Sequence, residues 1–97
     1  MNLTPLTAGK VSGTGTVKMI GRTGNGGTLG GVLITTDSST AGVVILRKDN
    51  ATGDIIFDIS TVPPIFVTAP IRVNDTDTIY FDISGANASA MLYEWND

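Results

Sequence analysis

The chain has 97 residues and contains no cysteine and no histidine. Without cysteine, neither a disulfide framework nor a cysteine-rich zinc site is possible. Without histidine, the chain lacks the commonest general base and the commonest metal ligand. Glutamine is also absent, and glutamate occurs once. The sequence therefore favours a structural or binding module over an enzyme, and we expect it to need no cofactor and no metal.

Charge and long apolar runs are also scarce. Nine acidic against six basic residues give a net charge of −3, which argues against a nucleic-acid partner. One apolar run covers residues 42–46 and no run without a polar residue exceeds six residues, whereas a membrane-spanning helix needs roughly 20 residues. No basic stretch followed by an apolar stretch marks a secretion signal near the start. We therefore expect that the protein has no membrane partner and that it is synthesised in a cytoplasm.

The residues that are abundant favour β-strands. Valine, isoleucine and threonine make up 32 of the 97 residues, and their branched side chains suit a pleated sheet better than a helix. Twelve glycines and six asparagines supply turns between the apolar segments. Short strands at regular spacing, with no helical segment, predict a single antiparallel β-sandwich, jelly-roll-like, with seven to eight strands.

The polar N-terminal segment sets the predicted domain organisation. Threonine, glycine and serine dominate residues 1–15, and Pro5 interrupts them. We predict a flexible N-terminal arm over residues 1–15, followed by the sandwich domain over residues 16–97. The arm is interpreted either as a frayed terminus or as a segment that becomes ordered on a neighbouring subunit.

Alternation of apolar and polar residues predicts which side chains face the core. Two segments, DIIFDIS at residues 54–60 and TIYFDIS at residues 78–84, alternate in this way. The residues predicted to point inward are Ile55, Phe57, Ile59, Ile79, Phe81 and Ile83. The four apolar residues 43–46 predict a strand that is covered on both faces, or that has one face against a partner.

Few residues suggest a metal-binding or catalytic site. Asp75 and Asp77 stand two residues apart and could contribute to a Ca²⁺ site, but the spacing and distal glutamate of an EF-hand are missing. Solvated acids in a turn are the favoured interpretation. Serine and threonine are plentiful, yet no histidine is present to activate them, and no Ser-x-x-Lys pattern occurs. We therefore predict no catalytic residues.

Candidate interaction residues lie near both termini. Leu3, Leu6 and Val11 are apolar anchors in the otherwise polar arm, and Trp95 lies close to the C-terminus. Met91 and Tyr93 share one strand face with Trp95, and core packing is favoured for these two. For Trp95, packing in the core and contact with a partner both remain open, because tryptophan is enriched at interfaces.

From Thr28 to Trp95 the chain resembles a known family. The segments LGGVLITTDSSTAGVVILRKDNATGDIIFDIST and NDTDTIYFDISGANASAMLYEW have the strand rhythm and the closing aromatic strand of small bacteriophage virion proteins. This resemblance implies a β-sandwich that decorates a capsid or is built into a head or tail. It also implies a symmetric homo-oligomer, most simply a trimer, located in the virion.

Two functional hypotheses follow. The leading one is a non-enzymatic virion structural protein, a capsid decoration or cement module that binds the major capsid (shell) protein or other virion proteins. The alternative is a carbohydrate- or receptor-binding β-sandwich of a phage tail or cell surface. A sugar site would use Tyr80 together with Asn74, Asp75 and Asp77.

Overall fold

Segments rich in β-branched residues form most strands of this protein. A computed structural model describes residues 2–19, 27–36, 41–61, 65–73, 78–85 and 87–96. Within these ranges there is no helix. The strands are β1 (Asn2–Val11), β2 (Gly13–Lys18), β3 (Gly27–Thr35), β4 (Gly42–Lys48), β5 (Ile55–Thr61), β6 (Ile65–Val73), β7 (Thr78–Ser84) and β8 (Ser89–Asn96).

The strands form two antiparallel sheets. Sheet 1 has the strand order β1-β8-β3-β6, and sheet 2 has the order β2-β7-β4-β5. Strands near the two ends of the chain pair with each other, β1 with β8 and β2 with β7. Strands nearer the middle pair in the same nested way, β3 with β6 and β4 with β5. The all-β prediction is confirmed, with two antiparallel sheets packed together.

The core lies between the inner faces of the two sheets. Sheet 1 contributes fully buried aliphatic side chains from β3 and β8, and sheet 2 contributes them from β4 and β7. Each of these four strands lies between two neighbours in its sheet, so its inward-pointing side chains are flanked on both sides by those of other strands. The largest fully buried apolar side chains are Leu29, Val32, Ile34, Val44, Leu46, Ile79 and Leu92.

Five of the six residues predicted to point inward do so. Ile79, Phe81 and Ile83 are buried, and Phe57 and Ile59 pack against the core while remaining half-buried at its margin. These inner positions follow from strict alternation in β7 and in the second half of β5.

Ile55 contradicts the prediction, because its side chain is 50% exposed. The register between β4 and β5 shifts between Leu46 and Arg47, where Leu46 pairs with Phe57 but Arg47 pairs with Ile55. The extra residue, Ile56, packs against the core instead. A bulge of this kind inserts one extra residue and so reverses the alternation of inward and outward side chains before it. The sequence of residues 54–57 does not reveal this bulge.

The four apolar residues at 43–46 lie in β4, between β7 and β5. Val44 and Leu46 are fully buried between the sheets. Val43 and Ile45 point outward and are half-buried. The inner face of β4 is therefore covered as predicted, and its outer face is covered in part by the neighbouring strands.

The N-terminal segment differs from the predicted arm. Residues 2–11 form β1, which pairs with β8, and β2 already begins at Gly13, before the predicted domain start at residue 16. Leu6 is 3% exposed and belongs to the core. The burial of Leu6 and the pairing of β1 with β8 on either side of it hold in a sheet a segment whose composition resembles a loop.

Replacing Phe81 by alanine tests the position of the core. We expect Phe81→Ala to lower the free energy of unfolding by about 3–5 kcal/mol, because it leaves a cavity between the sheets. Tyr80→Ala, on the opposite face of β7, is the matched control and should cost much less. Chemical denaturation measures both, and equal losses would contradict this register of β7.

A second pair of substitutions tests whether β1 is part of the folded domain. Leu6→Ala should lower the free energy of unfolding by about 2–5 kcal/mol, since a buried side chain is truncated. Leu3→Ala, at an exposed position of the same strand, is the control and should cost less than about 1 kcal/mol. If Leu6→Ala leaves the denaturation midpoint unchanged, β1 does not contribute to the core.

Candidate interaction surface

The last strand has an apolar side chain at most positions on both of its faces. Leu92 and Glu94 of β8 point inward and are buried. Met91, Tyr93 and Trp95 alternate with them on the outer face of sheet 1 and are half-buried. The outer face of β8 is therefore built from large apolar and aromatic side chains rather than from the polar residues usual on a solvated sheet.

Neighbouring strands extend this apolar character across sheet 1. Leu3 of β1 pairs with Trp95, Leu33 of β3 pairs with Met91, and Phe66 of β6 pairs with Leu33. Leu3 is 38% exposed and Phe66 is 41% exposed. We call this surface the aromatic face, and it consists of Leu3, Leu33, Phe66, Met91, Tyr93 and Trp95.

A pair of glycines lies beneath the aromatic face. The pairing of β3 with its neighbours is irregular between Leu29 and Gly31, so that both Gly30 and Gly31 point outward. A Cβ atom on Gly30 would overlap the Leu3 side chain and lie 3.1 Å from Trp95 Cβ. A Cβ on Gly31 would lie 2.5 Å from Phe66 Cζ. The two glycines let these side chains lie directly on the sheet backbone.

Aromatic contacts order part of this surface. The rings of Phe66 and Tyr93 meet edge to face, with centroids 5.4 Å apart and an interplanar angle of 77°. This is a favoured geometry for an aromatic pair. Since Phe66 remains exposed in spite of this contact, the pair presents an ordered apolar surface to solvent.

A small hollow adjoins the aromatic face on the side of β1. It has a volume of about 100 Å³ and is lined by Lys10, Leu33, Thr35 and Met91. The Thr35 and Ser89 hydroxyl groups are hydrogen-bonded at 2.8 Å. Drug-sized ligands usually occupy about 300–1,000 Å³. The hollow therefore has room for about one inserted side chain. Leu33 and Met91 give it an apolar floor, and the Lys10 side chain lies at its rim.

Two of the four predicted interaction residues meet on this surface. Leu3 and Trp95 are ladder partners on the outer face of sheet 1. Leu6 is in the core, and Val11 is half-buried and packs against the core. In a regular strand Val11 would share a face with Leu3, but the pairing of β1 shifts between Pro5 and Lys10 and turns Val11 inward. Leu6 and Val11 therefore pack with the core and are not part of the aromatic face.

Sequence reasoning did not assign Leu33, Phe66, Met91 and Tyr93 to a surface. Leu33 lies in a continuous apolar run, where alternation does not distinguish the faces. Met91 and Tyr93 were expected in the core, yet the structure places them on the outer face. One available signal was the pair Gly30-Gly31 inside a strand, since glycine in a strand often marks a bulge or a close approach.

Glu94 is a buried acid, with 1% of its surface exposed. It lies near the end of β8, an inner strand of sheet 1, where its ladder partners are Thr4 of β1 and Leu29 of β3. Within the described part of the chain, every buried side-chain nitrogen or oxygen has a hydrogen-bond partner. A buried carboxylate with satisfied oxygens is expected for a structural polar group.

Other predicted sites lie partly outside the described residues. Asn74, Asp75 and Asp77 are among these, so neither the calcium alternative nor the full sugar-site group has a described geometry. Tyr80 is half-buried on the outer face of sheet 2 and pairs with Arg47. No group of three acidic, histidine or cysteine side chains that could hold a metal ion occurs in the described ranges.

Comparisons with known proteins give no match, whether made with family models, with curated sequences or with solved structures. In the described part of the chain, no helix is long and apolar enough to cross a membrane.

A substitution at Gly30 tests how the aromatic face is built. Gly30→Ala should displace Leu3 and Trp95, because the added methyl group occupies the space of both. Trp95 is the single tryptophan of the chain, so its fluorescence reports this site alone. We expect the emission to shift to longer wavelength in the folded variant. Thr14→Ala, on an exposed position of β2, is the control, and equal spectra for Gly30→Ala and wild type would contradict this packing.

Proposed function

We propose that this protein is a non-enzymatic structural component of a virus particle, a decoration or cement module that binds the major capsid protein as a homo-oligomer. The aromatic face carries this proposal. It is a continuous apolar surface on a small protein, of the kind that marks a protein–protein contact when it lies on an otherwise polar molecule. Aromatic residues and methionine are also enriched at such contacts.

The strand pairing is compatible with this proposal. The pairs β1–β8, β2–β7, β3–β6 and β4–β5 describe one long hairpin of paired strands rolled into two sheets. We take this to be a jelly-roll β-sandwich, an architecture used by viral capsid and lectin domains. The fold is compatible with both functional hypotheses and does not by itself choose between them.

The size of the aromatic face favours a protein partner. The four strands of sheet 1 are 8–10 residues long and about 4.8 Å apart, so its outer face covers roughly 19 Å by 30 Å before side-chain relief is included. The roughly 800 Å² that one partner contributes to a standard protein–protein interface is of the same order. With charged residues making up 15% of the chain, a large part of its surface is suited to contact with neighbours.

Carbohydrate or receptor binding remains the second candidate function. Exposed aromatic rings such as Phe66 can stack on other flat groups, and lectins also use two-sheet folds. The hollow beside Met91 is small for a sugar unit, however, and its floor is apolar. A surface of large aliphatic side chains beside the rings is better suited to a partner protein.

Copy number in purified particles tests the proposal. Particles of the virus that encodes the chain should contain this protein at a fixed ratio to the shell protein, measured by quantitative mass spectrometry. Tagged protein added to particles that lack it should rebind. Phe66→Ala should reduce that rebinding about ten-fold or more, because it removes an exposed aromatic anchor. Tyr80→Ala, on the outer face of sheet 2, is the matched control.

Absence of the protein from purified particles would contradict the proposal. Rebinding that is equally strong for Phe66→Ala and wild type would remove the aromatic face from the shell contact. Binding to a glycan array by a protein that does not associate with particles would support the second candidate function.

A further inference from the structure

The two sheets have four edge strands among the described residues, and three of them carry features that discourage pairing with another strand. In sheet 1, β1 contains Pro5 and β6 contains Pro70, and a proline donates no backbone hydrogen bond. In sheet 2, the edge strand β2 has Gly13 in a left-handed conformation and ends with the exposed Lys18. Lysines and irregular backbone are common ways to protect an edge.

The fourth edge strand, β5, has few of these protections. Its sequence IIFDIST contains no proline, lysine or glycine, and its residues have high β propensity. The bulge at Ile56 affects only the start of the strand, so residues 57–61 form a regular ladder with β4. Phe57 and Ile59 point into the core from this edge and remain half-buried. A further strand along β5 would therefore cover apolar side chains and satisfy backbone groups together.

We propose that β5 pairs with β5 of a second copy of this chain, antiparallel and across a two-fold axis, so that sheet 2 continues through the contact. A two-fold contact uses the same surface on both copies, so β5 must be complementary to itself. The inference is independent of the virion assignment. It makes a dimer the basic unit, in place of the trimer implied by the sequence resemblance.

The alternation of β5 restricts the register of this contact. In a continuous sheet, inward residues lie opposite inward residues, and a contact that pairs at least five residues of β5 is then centred on Phe57, Asp58 or Ile59. Centring on Asp58 would place two carboxylates directly opposite each other, an unfavourable pair. Centring on Phe57 would include the bulged Ile56. The remaining register is centred on Ile59 and places Asp58 opposite Ser60 of the second copy.

The chemistry of that register is favourable at each position. Asp58 and Ser60 are both exposed on the outer face of sheet 2, so a hydroxyl donor stands opposite a carboxylate acceptor twice in the dimer. On the inner face, Ile59 meets its own copy and Phe57 meets Thr61. Formation of this contact also covers the half-buried side chains of Phe57 and Ile59.

Analytical ultracentrifugation of the full chain over a series of concentrations tests the dimer. Wild-type protein should show a concentration-dependent monomer–dimer equilibrium. Ser60→Asp should raise the dissociation constant about five-fold, because it creates two carboxylate pairs with Asp58. Ser60→Asn, similar in size but neutral, is the matched control and should dimerise like wild type. Denaturation curves of the three proteins confirm that each is folded.

Disulfide trapping tests the register, since the natural chain has no cysteine. Asp58→Cys and Ser60→Cys are made separately, mixed and mildly oxidised. The mixture should give a cross-linked heterodimer, while each variant alone should not. In a dimer of one variant, the cysteine of each copy is offset by two residues from the cysteine of the other. Their Cα atoms would be about 8 Å apart, which is beyond the reach of a disulfide.

Three results would overturn the inference. The first is a protein that stays monomeric at every concentration. The second is efficient cross-linking of Asp58→Cys with itself, which would require a register centred on that residue. The third is a dimer that Ser60→Asp leaves intact and Phe66→Ala dissociates, which would place the contact on the aromatic face.

Discussion

The mutual burial of the two inner sheet faces is the interaction on which the rest of this structure depends. Val32 and Leu92 of sheet 1 and Leu46 and Ile79 of sheet 2 are fully buried between the layers. With no cysteine in the chain, no disulfide supports this packing. The layers are thin, so each strand must present apolar side chains to the same side along its length, and a slip by one residue would turn them to solvent.

Local irregularities adjust this alternation at three places. In β1 the shift after Pro5 turns Val11 inward, and in β3 the irregularity at Gly30 and Gly31 gives two successive outward positions. In β5 the bulge exposes Ile55. At each irregularity, the direction of the side chains changes over a few residues. The rest of the strand keeps its apolar side chains buried. The aromatic face depends on the second of them, because Leu3, Trp95 and Phe66 occupy the space left by the missing Cβ atoms.

The two surfaces assigned to partners differ in physical kind. The aromatic face presents side chains, so a partner would be selected there by shape and apolar area. The β5 edge presents backbone hydrogen-bonding groups, so a partner would be selected by register and by the few side chains opposite. They lie on different sheets. A module with one contact of each kind could join to its own copy and to a larger assembly at the same time.

Local patterns in the sequence were sufficient to predict the fold class and much of the core. The β-branched composition and the strict alternation in TIYFDIS are local properties, and they predict strands and the inward position of Phe81 without knowledge of any neighbour. The alternation in β8 likewise separated Met91, Tyr93 and Trp95 from Leu92 and Glu94. The prediction that Met91 and Tyr93 face the core was wrong, because both sets contain large apolar side chains and the pattern alone does not rank them.

The choice of the inward-facing set in β8 depends on tertiary contacts, as do the place of the N-terminal segment and the positions of the bulges. The buried set in β8 is the one that meets sheet 2, and this depends on the strands beside β8 rather than on its own pattern. β1 reads as a loop in isolation, and it becomes a strand through its ladder with β8 and the burial of Leu6. Register and layer contacts join residues far apart in the chain, so no local pattern contains them.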